Sequence, residues 1–336
     1  MKTVCYFLSH YISHQEAGLR YRECLQRLGI SLVDQPDKAD LVIIHNELWS
    51  LPGYYRMFPE LRERRVVVYA VWETDCLPEH YRFALSLADE IWTCSSYCQR
   101  VLAQAGRPVS IIPHVVTAPE PNPAAENKLR ERIGYRDGEF LFYTIANVLN
   151  PRKGIEELIR AFAGLFPVEQ ARLIVKGNAP LPADQASTPG VVQITDWLDE
   201  DEIYALHRVG HCFVSAHRSE GWGLPISTAM ASERIVIATA YSGNMDYMNS
   251  GNSLPVACTV EPIRSEDLKR QPHILSADMH WGYVDVDDLR RQMKYAFSER
   301  DSLQPLARQA RTDMERYAPE QIAEILRLHL DRLEFV

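Results

Sequence analysis

Ser215-Ala216-His217-Arg218-Ser219-Glu220-Gly221-Trp222-Gly223-Leu224-Pro225-Ile226-Ser227-Thr228-Ala229-Met230-Ala231 leads from a buried apolar run at 211–215, through a loop with one carboxylate and two glycines, into a helix opening near Pro225. Glycines at such a corner let the backbone approach a ligand closely, and the N–H groups of the first helical turn favour an anion. A phosphate or diphosphate is the guest this suits. Tight packing alone would also explain the glycines, so the corner draws its weight from two other loops. Asn147-Val148-Leu149-Asn150-Pro151-Arg152-Lys153-Gly154 follows a strand expected at 140–145 and opens the next helix. Lys176-Gly177-Asn178 follows a strand expected at 172–175. Arg152, Lys153, Lys176 and a helix N-terminus thereby meet at one sheet edge.

Outward from this region, short apolar runs alternate with helical periodicity along the whole chain. Residues 4–8, 41–45, 66–71, 90–94 and 110–113 read as buried strands, with helices such as 17–28 and 96–105 between them. After 118–126, which carries three prolines and reads as a linker able to hold neither helix nor central strand, the alternation restarts. There Ile155, Leu158, Ile159, Phe162, Leu165 and Phe166 mark one helix face. The expectation is an α/β protein with two doubly wound domains. They span 1–117 and 127–318, with a helix at 319–336 packing back on the first. Ligands of such open sheets lie at the carboxyl ends of the strands, so a cleft between two sheets facing each other is the expected site.

Composition narrows the function classes. Of 336 residues, 46% are hydrophobic and 24% charged, as in an ordinary globular protein, and the net charge of −9 disfavours a nucleic-acid partner. Residues 1–118 are nearly neutral, and Arg56, Arg62, Arg64 and Arg65 cluster there. They read as a solvated helix face, or as a peripheral contact with an anionic membrane surface or acceptor. The longest clean apolar run, Val66 to Trp72, is far shorter than a membrane span. Seven cysteines without metal-ligand spacing read as reduced thiols of a cytoplasmic protein.

Arg152-Lys153-Gly154, Lys176-Gly177, Glu220-Gly221-Trp222-Gly223-Leu224-Pro225 with Ala229-Met230-Ala231, and the loop Ala240-Tyr241-Ser242-Gly243-Asn244-Met245-Asp246-Tyr247-Met248 together resemble the retaining glycosyltransferases of family 4 (bacterial group 1). Trp72-Glu73-Thr74-Asp75, Asp89-Glu90-Ile91-Trp92-Thr93-Cys94-Ser95-Ser96 and Ile112-Pro113-His114-Val115 fit a bacterial subgroup of that family. The resemblance implies the GT-B fold, with two Rossmann-like domains, an acceptor-binding one first and a donor-binding one second. It further implies transfer of a hexose-type sugar from a nucleotide-diphosphate donor, UDP- or GDP-linked, to a glycan or lipid-linked acceptor. No separate cofactor and no metal are implied.

By the same resemblance Lys153 or Arg152, with Lys176, holds the diphosphate, Glu220 contacts the donor sugar, and Asn147, Gly221, Trp222, Gly223, Leu224 and Thr228 line the donor site. Cations aimed at a leaving diphosphate stabilise the charge that grows there, which makes a metal unnecessary. Glu73 is read as a catalytic carboxylate or as the partner of a nearby arginine. Asp75, His10 and His14 stand on the acceptor side, the two histidines in the loop after the first strand. Asp199-Glu200-Asp201 spells a metal-binding pattern but sits at a helix start, where acids serve as caps. One departure stands out. The family places a second glutamate, which binds ribose, at the position of Thr228. A non-catalytic nucleotide-sugar-binding partner of an active enzyme is therefore the alternative reading. A dinucleotide oxidoreductase lacks its Gly-x-Gly-x-x-Gly in Ser9-His10-Tyr11-Ile12-Ser13-His14.

Overall fold

The computed structural model describes residues 2–271 and 273–335. The chain divides into two compact units, one formed by residues up to Thr117 together with those from Arg316 onward, the other by Ala118–Glu315.

In the first unit the strands are β1 (Thr3–Leu8), β2 (Ser31–Val33), β3 (Leu41–His45), β4 (Val66–Tyr69), β5 (Glu90–Thr93) and β6 (Val109–Ile111). They form one parallel sheet in the order β2-β1-β3-β4-β5-β6. Strand β2 escapes a reading by apolar runs, because it is a three-residue edge strand with every residue only partly buried. Helices α1 (Ile12–Arg27), α2 (Leu51–Met57), α3 (Glu79–Leu85) and α4 (Ser96–Leu102) connect the strands. The C-terminal helix Pro319–Arg332 packs on α1, where Pro319 O accepts from Cys24 Sγ at 3.5 Å and Glu320 pairs with Arg27 at 2.5 Å.

The second unit has a parallel sheet of β7 (Phe140–Ile145), β8 (Ala171–Lys176), β9 (Val191–Ile194), β10 (Cys212–Ser215), β11 (Ile235–Thr239) and β12 (Leu254–Val256), ordered β12-β11-β10-β7-β8-β9. An antiparallel pair, β13 (Cys258–Pro262) and β14 (His280–Val284), stands beside it as a separate ribbon. Helix α5 (Pro123–Ile133) corrects the proline-rich stretch. Asn122 caps it by accepting the Ala125 N–H, and Pro123 sits at the first helical position, where its missing N–H and fixed φ favour a helix. The segment read as a helix-free linker to residue 126 therefore ends at Asn122.

Helix α6 (Ile155–Phe162) stops earlier than its apolar face suggested, yet Leu165 and Phe166 reach the same core from the following turn. That core gathers Phe140, Phe142, Phe162, Leu173 and Val214, each buried apolar side chain contributing about 1.5–3 kcal/mol. Helices α7 (Ala183–Ala186), α8 (Glu200–Val209) and α9 (Leu224–Ala231) follow. Asp199 forms a capping box with Glu202 at the start of α8, which accounts for the acidic triplet. Among the described residues no helix is long and apolar enough to cross a membrane, and no group of three or more His, Cys, Asp or Glu could hold a metal ion. The seven cysteines are free thiols, five of them buried.

Candidate active site

The three loops singled out in the sequence all leave the carboxyl ends of strands in the second sheet. After β7, a 3-10 turn at Pro151–Lys153 is capped by Asn150, whose side chain accepts the Arg152 N–H at 3.0 Å. Gly154 closes this turn with φ +62°, and a Cβ there would lie 1.8 Å from the Ala216 carbonyl oxygen. Only glycine allows the β7 loop to press against the β10 loop. That contact is sealed by the Arg218 N–H, which donates to Arg152 O at 2.7 Å.

The consequence is a compact charge cluster. Lys153 Nζ lies 2.5 Å from Glu220 Oε1, and Arg152 Nη1 lies 3.1 Å from Glu220 Oε2 while also donating to Ser219 O at 2.5 Å. Glu220 is 6% exposed. Burial alone would raise its pKa, but the adjacent Lys153 and Arg152 outweigh this and hold it at about 2. The carboxylate is thus ionised at every physiological pH. Two cations thus share the Glu220 carboxylate. Lys176, the last residue of β8, donates to Gly177 O at 2.7 Å, and its pKa is lowered mainly by burial and next by Arg132.

Other residues of the motif serve the scaffold. The Trp222 indole, read as part of the donor site, is buried. It donates to Ser227 Oγ at 3.1 Å and packs on the Tyr247 ring at 4.7 Å, so no more than its backbone is left for a ligand. Arg218 bridges Glu157 at 2.8 Å and Asp267 at 2.5 Å beneath the loop and lies over the Tyr283 ring at 4.8 Å. Gly223 is the N-cap of α9, Leu224 its first residue, and Gly221 lies in the turn before them. A helix opening near Pro225 would put Thr228 in its first turn. It is the fifth residue, at the start of the second turn, and half-buried. Asn147 accepts the Leu149 N–H at 3.1 Å and shapes its own loop.

Within the first unit, Glu73 and Asp75 follow β4 in a loop knotted by Trp72, whose indole N–H donates to Thr74 Oγ1 at 2.7 Å and to Cys76 O at 2.8 Å. Asp75 is exposed and Glu73 partly buried. His10 lies in the loop after β1, exposed. His14 does not: it is the third residue of α1, its ring 5.6 Å from that of His45. Helix α1 begins at Ile12 because the Tyr11 carbonyl accepts the Gln15 N–H, a backbone turn that no side-chain cap announces. Of the four arginines, Arg64 donates to the Asp37 and Ala39 carbonyls and Arg65 to that of Leu333, while Arg56 and Arg62 are exposed.

Two doubly wound parallel sheets in one chain, the second with a cationic cluster at its carboxyl edge, define the GT-B class of fold. Residues 126–274 match the family model "Glycosyl transferases group 1". The second unit therefore carries a group 1 glycosyltransferase domain, and the chain is an enzyme of the glycosyltransferase class. Solved structures agree on the fold. A glycosyltransferase from Rickettsia africae ESF-5 superposes with a TM-score of 0.72 at 12% identity, over 100% of this chain and 99% of that one. Anabaena Alr3699/HepE in complex with UDP and glucose gives 0.70 at 17%, over 99% and 100%. Sucrose-phosphate synthase (tll1590) from Thermosynechococcus elongatus gives 0.70 at 15%, over 99% of each chain. No curated protein matches the sequence.

Proposed function

We propose that the chain is a retaining, metal-independent glycosyltransferase acting in the cytoplasm. It moves a hexose-type sugar from a UDP- or GDP-linked donor to a glycan or lipid-linked saccharide. The observation that carries this reading is the cluster of Arg152, Lys153 and ionised Glu220, with Lys176 on the neighbouring strand end. Charge grows on the leaving diphosphate as the glycosidic bond breaks. Fixed cations at that place lower the barrier more than they tighten ground-state binding. Glu220 contacts the sugar, and Lys153 turns from it to the diphosphate when donor binds. The Anabaena relative solved with UDP and glucose supports a nucleotide-sugar donor. On the acceptor side stand His10, His14, Glu73 and Asp75. Contact with an anionic surface rests on Arg56 and Arg62, since Arg64 and Arg65 are engaged with backbone carbonyls.

Calorimetric titration with UDP and GDP, and turnover of the matching nucleotide sugars, are expected to succeed equally with and without excess EDTA. Activity abolished by the chelator and restored by Mn²⁺ or Mg²⁺ sinks the metal-independent mechanism. Binding without turnover of any donor leaves the non-catalytic partner as the reading, and no nucleotide binding at all removes both.

Thr228 gives a graded test. A carboxylate at this position can accept charge-assisted hydrogen bonds from ribose hydroxyls, each worth about 1.5–3 kcal/mol. Thr228→Glu is therefore expected to bind the nucleoside diphosphate at least about tenfold more tightly than the native chain. Equal or weaker binding would show that the ribose is held elsewhere.

A further inference from the structure

Ser242, in the loop after β11, has φ +76° and ψ −146°, a backbone region that glycine enters freely and a residue with a Cβ enters only under strain. The next residue is Gly243, and a Cβ there would lie 1.9 Å from the Gly221 carbonyl oxygen. A glycine at 242 would relieve the strain, yet the chain carries a serine whose hydroxyl is used twice. Ser242 Oγ accepts the Glu220 N–H at 2.7 Å and donates to Tyr241 O at 2.5 Å. The Gly243 N–H donates to Glu220 O at 2.9 Å. Both polar groups of the Glu220 main chain are thus held by residues 242 and 243.

The loop that does this is itself pinned from below. The buried His217 ring lies with Nε2 3.0 Å from Asn244 Oδ1 and Nδ1 3.0 Å from Ser215 Oγ, and Asn244 Nδ2 donates to Thr239 O at 3.0 Å. Tyr247 OH donates to Trp222 O at 2.6 Å. Strain persists only where the surroundings over-determine a conformation, and here they do.

We propose that Ser242 is a positioning residue for Glu220. Its hydroxyl, in a backbone conformation that serine adopts only under constraint, sets the peptide from which the carboxylate reaches Lys153 and Arg152 at the donor-sugar position. The proposal rests on the reading of Glu220 as the carboxylate that touches the donor. Its logic is an exchange of backbone ease for a fixed acceptor, and that separates it from a purely structural role, for which glycine would serve better.

Ser242→Gly and Ser242→Ala test it together. Both remove the hydroxyl, but only glycine relieves the backbone. Expected for both is a fall in kcat of at least about tenfold with donor KM within about threefold. Ser242→Gly should melt at or above the native temperature and Ser242→Ala below it. In crystals of Ser242→Gly the Glu220 carboxylate should no longer bridge Lys153 and Arg152. The proposal is overturned if Ser242→Gly keeps kcat within twofold, if activity follows the melting temperature across the two variants, or if Glu220 stays in place in the crystal. Should the native chain transfer no sugar, the glycosyltransferase reading fails on its own, and the crystallographic position of Glu220 still decides the role of Ser242.

Discussion

Glu220→Gln is expected to lower kcat by about 10²–10³-fold while binding nucleoside diphosphate more tightly than the native enzyme. Glutamine keeps the shape of the side chain and an oxygen for Lys153 Nζ, now 2.5 Å away, but cancels the negative charge between Lys153 and Arg152. Lys153 and Arg152 then lose the charge of the carboxylate between them, and an incoming diphosphate supplies negative charge in its place. The same imbalance destabilises the ligand-free protein, since removing one member of a buried ion pair costs about 3–5 kcal/mol. Melting should therefore drop in the free variant and recover on adding the nucleotide. Kinetics on the cognate donor and calorimetry with its nucleoside diphosphate check the two signs. Unchanged kcat would reduce Glu220 to a counter-ion for the two cations.

Acid is expected to begin destabilising the protein above the range in which its carboxylates titrate. His207 and His114 are buried and held down to about pH 3, and His211 to about 4, in each case chiefly by burial. His45 and His217 are depressed for the same reason, with His14 and His114 adding to the effect at His45. An unfolded chain takes up these protons near the ordinary value of 6.5, so between that pH and the folded values it binds more protons than the native state. Stability is full above pH 6.5 and is lost as pH falls. Each such histidine costs about 1.4 kcal/mol per pH unit, and His207 with His211 in one unit cost about 3 kcal/mol per unit. By pH 4 the loss reaches about 7 kcal/mol, a large part of a typical total of about 5–15 kcal/mol, so stability should fall steeply between pH 6.5 and 4. An acid titration followed by tryptophan fluorescence measures the midpoint. A flat profile from pH 6 to 4 would mean that these rings are protonated in the folded chain.

Much of the second unit was legible because its signals are local. Strand β7, Phe140–Ile145, is an apolar run but for Thr144, and the loops after β7, β8 and β10 carry their basic and acidic residues within a few positions of a strand end. Edge strands β2 and β9, whose residues are mostly half-exposed, carry no such run. The early start of α5 was hidden by the prolines that helped to form it, because Pro123 reads as a breaker unless Asn122 is recognised as its cap.

By itself the sequence determined the α/β alternation, the two sheets and the identity of Arg152, Lys153, Lys176 and Glu220 as chemistry at strand ends, since periodicity and strand-end position are properties of neighbours along the chain. Only the tertiary structure decided that Lys153 and Arg152 close on Glu220, that Trp222 turns inward, that His14 belongs to a helix, and that Ser242 holds the Glu220 peptide. The first and last of these are contacts between loops separated by 22 to 68 positions in sequence. They depend on which strands lie side by side and on the close approach that Gly154 and Gly243 permit, and no local pattern encodes that distance.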